Sequence, residues 1–271
     1  MVARQRSLRR RAAAAVAVAL VAAGLLAPAA SARPDDPFVQ DLWRPSAFVS
    51  QRTYAWCVAA VSQMIVNLAL GTHDRTLIRQ RRYMRYAQLH DLIPGADLAR
   101  GTDAEGFVAV LRWRLPDAGY EIVLDDTMAQ QLRTIAKRIR RTGLPVGLIV
   151  GGGFHAWVAT GYAATGDPLE GPFEVVGLRV TGPLWPRYPQ DRWYDLRPGS
   201  WTDRSLLRRI LRPVHDGAYD APWEGSYVSV APGGEVPPPT PEPTATPSPT
   251  TTPVPTPPPT TEPTPAPTPA G

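Results

Sequence analysis

Hydrophobic positions recur at helical spacing through much of the first half of the chain. The clearest case follows Cys57, where Val58, Val61 and Ile65 are three or four residues apart and most positions between them are small or apolar. This pattern predicts a helix that is buried on several sides. Gly71 is a typical residue at which such a helix ends.

Similar spacing predicts further helices over 76–92, 103–115 and 127–142. The second half instead contains short apolar runs bounded by glycine or proline, which favour strands. The runs in the second half are 144–150, 155–162, 173–181 and 226–231, and one further run, 120–124, lies in the first half. Helices followed by strands predict an α+β fold in which a helical lobe packs on a sheet. The Trp- and Pro-rich stretch between the last two runs is typical of long loops.

Both ends of the chain depart from this pattern. Residues 1–32 begin with five arginines and no acid, continue through the apolar run 12–27 and end Ala-Ser-Ala, which is typical of a secretory signal peptide. Residues 237–271 hold 16 prolines and 11 threonines, a composition that favours extended polyproline conformations over a packed core. We therefore predict a signal peptide over 1–32, a folded domain over 33–231 and a disordered tail over 232–271.

Charge and hydropathy give no support for nucleic-acid binding or for a membrane span. The formal net charge of +5 equals the number of arginines in the predicted signal peptide. The rest of the chain is therefore close to neutral, and composition gives no support for nucleic-acid binding. No apolar run of about 18 residues follows the signal peptide, so no membrane span is expected in the mature protein. We expect it to be secreted or held on the outer side of the cell envelope.

Cys57 is the one cysteine of a protein that is predicted to be exported. It cannot form an internal disulfide, so it is a buried apolar residue, a dimer contact or a reactive thiol. At the first turn of a helix, free backbone N–H groups and the positive end of the helix dipole favour a thiolate. Its position makes Cys57 the candidate nucleophile.

A nucleophilic cysteine needs a base, and the chain has four histidines. His73, His90 and His215 lie in stretches typical of the protein surface. His155 begins the second of two apolar runs that flank three glycines, a pattern typical of a hairpin. A histidine at a strand end often faces solvent, but among the four His155 is the best candidate for the base.

At these residues the chain resembles papain-like cysteine peptidases, in particular the branch of bacteriocin-processing, double-glycine peptidases. The matching features are Gln51, six residues before Cys57, a Trp-Cys-x-x-Ala string that opens a helix, and Leu-Pro-Val at 144–146 followed by His-Ala-x-Val-x-Thr-Gly-Tyr at 155–162. The resemblance extends over about 45–230. It implies a helical lobe carrying the cysteine helix, packed on an antiparallel sheet that carries the histidine strand.

The resemblance also implies a role for each matching residue. Cys57 would attack a carbonyl carbon, and His155 would hold the thiol proton and later protonate the leaving group. The Gln51 side-chain amide and the Cys57 backbone N–H would form the oxyanion hole. An uncharged glutamine suits this role, because it donates to an oxyanion without competing for the histidine proton.

The sequence departs from this family where the residue that orients the histidine is expected. The family usually has Asp or Asn after the next strand, often followed by Pro, whereas this chain has Gly182 followed by Pro. Three interpretations remain open. A Cys-His dyad acts with a backbone carbonyl or Thr181 fixing the ring, or an acid from elsewhere such as Asp167, Asp191 or Asp195 substitutes, or the site has lost activity and only binds.

These features lead to two main hypotheses for function. The first is an exported cysteine peptidase or amide hydrolase that acts through a thioester on a peptide, a protein or a cell-wall peptide. The second is a catalytically weak or inactive binding module of the cell envelope. A third, less favoured interpretation is a structural protein in which Cys57 is a core or dimer residue. No cofactor or metal is expected, because the histidines lack zinc-type spacing with cysteine or acids.

Overall fold

The computed structural model describes residues 37–95, 97–186, 195–215 and 222–233. The predicted signal peptide and nearly all of the predicted tail lie outside these residues. Within them the chain forms an α+β fold with five α-helices and one antiparallel sheet of seven strands, which confirms the predicted fold class.

Three helices form the first half of the fold and two more follow among the strands. They are α1 (Cys57–Leu70), α2 (Leu77–Gln88), α3 (Ala104–Arg114), α4 (Met128–Thr142) and α5 (Arg204–Ile210). Helix α1 ends at the predicted glycine, Gly71, and α4 ends in the same way at Gly143. Gly71 and Gly143 adopt left-handed backbone and donate their N–H groups to the last turns. Helix α2 stops four residues before the predicted 92, so His90 lies beyond it.

The strands are β1 (Phe38–Asp41), β2 (Tyr120–Asp125), β3 (Val146–Val150), β4 (His155–Ala164), β5 (Val175–Thr181), β6 (Ser200–Asp203) and β7 (Tyr227–Pro232). Their order in the sheet is β2-β7-β3-β4-β5-β6, and β1 pairs with β4. Strand β4 is central. Its one edge pairs with β5, and the other pairs with β3 near His155 and with β1 near Ala164. The last strand includes Pro232, one residue past the predicted domain end.

The sheet separates two hydrophobic cores. One face packs against α1, α2 and α3, with Ile149, Ala156 and Val158 on the sheet side. The other packs against α4 and α5 and includes the neighbouring positions Trp157 and Ala159. Successive residues of β4 thus enter opposite cores, as the pleat requires. A run buried on both faces explains why β4 is almost continuously apolar.

Two regions differ from the sequence prediction. Strand β1 was not predicted, because a strand of four residues directly after Pro37 gives almost no pattern. The Trp- and Pro-rich stretch predicted as loops contains β6 and α5. Asp203 caps α5 by accepting a hydrogen bond from Leu206 N at 2.9 Å, and Leu207 and Ile210 enter the core. An Asp followed by apolar residues at helical spacing is the signal that this stretch offered.

Candidate active site

Cys57 is the first residue of α1 and is half-buried. No side chain caps the helix N-terminus, since Trp56 occupies the cap position, and its first turn contains no acid. The free N–H groups and the positive end of the helix dipole are therefore available to an anion at this point. The buried helix places the thiol next to the start of β4, the central strand that carries His155.

His155 is the first residue of β4 and only 9% of it is exposed. It follows a turn of three glycines, 151–153, all with positive φ. Backbone hydrogen bonds hold this turn to the end of α5 and the residues after it. Gly151 N donates to Ile210 O at 3.0 Å, and His215 N donates to Gly152 O at 3.4 Å. The start of β4 is thus fixed from two directions.

The structure brings Cys57 and His155 together, although 98 residues separate them in the sequence. Both side chains line the same cleft, and the thiol interacts with the imidazole. The imidazole Nε2 faces the carboxylate of Asp195. His155 therefore has a thiol and a carboxylate as neighbours.

Asp195 is the residue that orients His155. Its Oδ1 lies 3.0 Å from His155 Nε2, and it also accepts a hydrogen bond from Trp157 Nε1 at 2.7 Å. Its Oδ2 accepts from the backbone N–H of Leu184. Only 2% of Asp195 is exposed. A buried carboxylate with three donors is well satisfied and fixed in place.

Gly182 makes room for this carboxylate. A Cβ at position 182 would overlap the carboxyl carbon and both oxygens of Asp195. The acid expected at the end of β5 is thus replaced, in the same space, by one that arrives from 13 residues further along the chain. A side chain at 182 and the carboxylate of Asp195 exclude each other, which gives the unexpected glycine a physical reason.

The other candidates for orienting His155 have different partners. Asp167 forms a bidentate ion pair with Arg140, and Thr181 Oγ1 accepts a hydrogen bond from Gly199 N at 2.8 Å. Asp191 lies outside the described residues. Of the predicted alternatives, Asp195 is therefore the one that the structure places against the ring.

The environment of His155 favours its charged form. Burial lowers the pKa of the imidazole, but the hydrogen bonds to Asp195 and Cys57 and the negative charge on both outweigh burial and raise this pKa to about 10. The ring is then an imidazolium at neutral pH. A positive charge beside a cysteine is the kind of environment in which nucleophilic cysteines are found.

Gln51 lies in the loop before α1 and is completely buried. Its side-chain nitrogen donates hydrogen bonds of 2.8 Å to the carbonyl oxygens of Thr53 and Tyr54. Its backbone N–H donates to Pro183 O, which links this loop to the residue after Gly182. The amide therefore holds the loop in this structure, and it must rotate before it can donate to an oxyanion next to Cys57.

A cleft of about 360 Å³ opens at the thiol. The described residues that line it include no Asp, Glu, Lys or Arg; they are Tyr54, Ala55, Cys57, Gly101, Thr102, Phe154, His155 and Leu184. Tyr54 and Phe154 are 69% and 57% exposed. Sequence reasoning did not identify these two aromatic residues or Trp157. The only signal for Phe154 was its place beside His155.

The remaining histidines have other surroundings. His73 and His90 are exposed, and His90 stacks on Tyr86 with ring centroids 4.2 Å apart. His215 packs its ring against Phe154. Among the described residues, no group of three or more His, Cys, Asp or Glu side chains is arranged to hold a metal ion. No helix in the described ranges is long and apolar enough to cross a membrane.

Comparison with known proteins gave no match to any family model, curated protein or solved structure. The interpretation of the site therefore rests on the residues and their geometry.

Proposed function

We propose that this chain is an exported papain-like cysteine peptidase or amide hydrolase. The observation that carries the proposal is the half-buried Cys57 beside the buried His155, whose Nε2 faces the buried carboxylate of Asp195. A helix that presents its cysteine to a histidine on an antiparallel sheet supports the papain-like assignment. The cleft at the thiol has room for several atoms of a peptide.

The geometry supports a two-step reaction. The Cys57 thiolate attacks the carbonyl carbon of the substrate, and the carbonyl oxygen becomes an oxyanion next to the Cys57 backbone N–H. The C–N bond breaks as His155 gives its proton to the leaving nitrogen, which leaves a thioester on Cys57. Water then attacks the thioester and gives a proton to His155, and the C–S bond breaks to release the acid and restore the thiolate–imidazolium pair. Asp195 stabilises the imidazolium before the attack and again when the thiolate–imidazolium pair is restored.

The test uses the mature protein, residues 33–271, with pools of internally quenched peptides and with cell-wall peptides. We expect hydrolysis by the wild-type protein and none above background by Cys57→Ala or His155→Ala. His73→Ala, which changes an exposed histidine, is the matched control and should remain fully active. Hydrolysis by Cys57→Ala at the wild-type rate would exclude the proposed nucleophile.

The orientation of Gln51 favours a second candidate, a binding module of the cell envelope. With its amide on the carbonyls of Thr53 and Tyr54, Gln51 does not supply a second oxyanion donor beside the Cys57 N–H. A protein that binds cell-wall peptides with the same affinity in wild-type and Cys57→Ala forms, and releases no product, would support this candidate over the peptidase.

A further inference from the structure

The outward face of α2 combines arginine with exposed apolar side chains. One side of this helix packs into the core through the buried residues Gln80, Tyr83 and Met84. The opposite side carries Ile78, which is 81% exposed, and three arginines. These arginines are Arg81, Arg82 and Arg85. No acidic residue occurs in α2, so its exposed face has a single sign of charge.

Exposed apolar residues are concentrated around this helix. The described part of the chain has twelve large hydrophobic residues with strongly exposed side chains, and five of them lie between positions 70 and 92. These five are Leu70, Leu77, Ile78, Leu89 and Leu92. Leu89 directly follows the helix and is 73% exposed. Scattered exposed apolar residues are normal on a protein surface, but Ile78 and Leu89 share the outward side of α2 with its three arginines.

The arginines of this face are not neutralised. Arg79, at its border, forms an ion pair with Asp74 at 2.9 Å. Arg81, Arg82 and Arg85 form no ion pair with any residue in the ranges that the structure describes. The outer surface of a helix in a soluble protein more often mixes both signs of charge.

The neighbouring end of α3 extends the same surface. It contributes Trp113 and Arg114, and Glu105 at the other end is the only acid in that helix. Arg82 lies over the Trp113 ring at 5.0 Å, and Tyr86 stacks on the same ring at 4.5 Å. Half-buried tryptophan and tyrosine beside arginine and exposed aliphatic residues are the composition of a helix that lies at a membrane interface.

We infer that the α2 face, defined as Ile78, Arg81, Arg82, Arg85 and Leu89, docks this protein onto an anionic lipid surface. The arginines complement the lipid phosphates, and Ile78 and Leu89 enter the headgroup region. A soluble polyanion would engage the arginines but would leave both aliphatic side chains in water. The inference is independent of the proposed catalysis, because no residue of this face lines the cleft at Cys57.

Co-sedimentation with lipid vesicles tests this inference. We expect the mature protein to bind vesicles of phosphatidylcholine with about 30% phosphatidylglycerol and to be released at roughly 0.5 M salt. It should not bind vesicles of phosphatidylcholine alone. Each arginine near an anionic surface strengthens binding about fivefold. Arg82→Glu with Arg85→Glu should therefore weaken binding by about 100-fold or more, and Ile78→Ser by several-fold.

The double substitution Arg208→Glu with Arg209→Glu is the matched control, since both residues are exposed near the end of α5. It changes the net charge by the same amount and should weaken binding far less, and Cys57→Ala should bind like wild type. Equal loss in the control would show that net charge, not the α2 face, causes binding. Absence of vesicle binding would overturn the inference. Binding to dextran sulfate that Ile78→Ser leaves unchanged, without vesicle binding, would assign the face to a soluble polyanion.

Discussion

The two sides of the cleft at Cys57 differ in how completely they are built. On the imidazole side, His155 and Asp195 are buried, and the carboxylate has three hydrogen-bond donors. On the carbonyl side, the Gln51 amide is directed to the carbonyl oxygens of its own loop. The histidine and its carboxylate are already in place beside the thiol. The Gln51 amide, in contrast, must rotate before it can donate to an oxyanion.

The largest expected effect comes from removing the orienting carboxylate. Asp195→Ala leaves His155 without its partner and should reduce hydrolysis by roughly 10²–10⁴-fold. Alkylation of Cys57 at pH 6 should slow strongly as well, because the imidazolium loses the charge that stabilises it. Iodoacetamide kinetics and peptide hydrolysis measure the two effects.

A second substitution sharpens this test. In the Asp195→Ala background, Gly182→Asp places a carboxylate at the end of β5, in the space that Asp195 leaves. We expect it to restore part of the activity, whereas Gly182→Asp alone should inactivate the protein because the two side chains overlap. Gly171→Ala, where a Cβ meets nothing within 4 Å, is the control for adding a side chain at a glycine. A double variant as inactive as Asp195→Ala would argue against a shared space.

Gln51→Ala should separate the two sides of the cleft. Alkylation needs no oxyanion hole, so its rate should stay within about threefold of wild type. Hydrolysis does need one and should fall by about 10²–10³-fold, the usual cost of one oxyanion donor. If both rates fall together, Gln51 acts only by holding its loop.

Trp157→Phe should have a smaller effect, because it removes one of three donors to Asp195 and keeps the ring in the core. Losing a hydrogen bond to a buried carboxylate costs about 1–3 kcal/mol. We expect hydrolysis to fall about tenfold, because Asp195 is held less firmly against His155. A substitution that only loosened the fold would lower the Tm without slowing hydrolysis well below it. Trp201→Phe, at an exposed position, is the control.

The smallest effect is on thermal stability. The pKa of His155 is about 10 in the folded protein, against an ordinary value of 6.5. The charged ring therefore stabilises the fold fully below pH 6.5, and this contribution is lost as the pH rises to 10. Between these values the Tm of wild type should fall by several degrees more than that of His155→Gln, at about 2–4 °C per kcal/mol. Parallel Tm profiles of the two proteins would contradict a raised pKa.

The sequence predicted the parts of this site that depend on local pattern. The helix that begins at Cys57 follows from three- and four-residue spacing, and the strand that begins at His155 follows from an apolar run after glycines. Their meeting could be expected only through the family resemblance. The physical reason is that the helix and the strand are far apart in the chain, so only folding brings them together.

The sequence left open whether any acid orients His155, and Asp167, Asp191 and Asp195 were candidates for only one of three interpretations. Asp195 lies in a Trp- and Pro-rich stretch without periodicity, and only tertiary packing brings it under His155. The informative signal was Gly182, which indicates a place where something else fills the space of a side chain. For the same reason β6 and α5 were not predicted, although Asp203 followed by apolar residues at helical spacing indicates the start of a helix.

The glycine turn before His155 sets a limit on how this protein can evolve. All of 151–153 have positive φ, and a Cβ at Gly152 would overlap the ring of His215. We expect a saturation-mutagenesis library, selected for activity, to retain glycine at these positions while tolerating change at the exposed neighbour Phe154. Variation that alters substrate choice would then accumulate beside the histidine, while the turn that aims it stays unchanged.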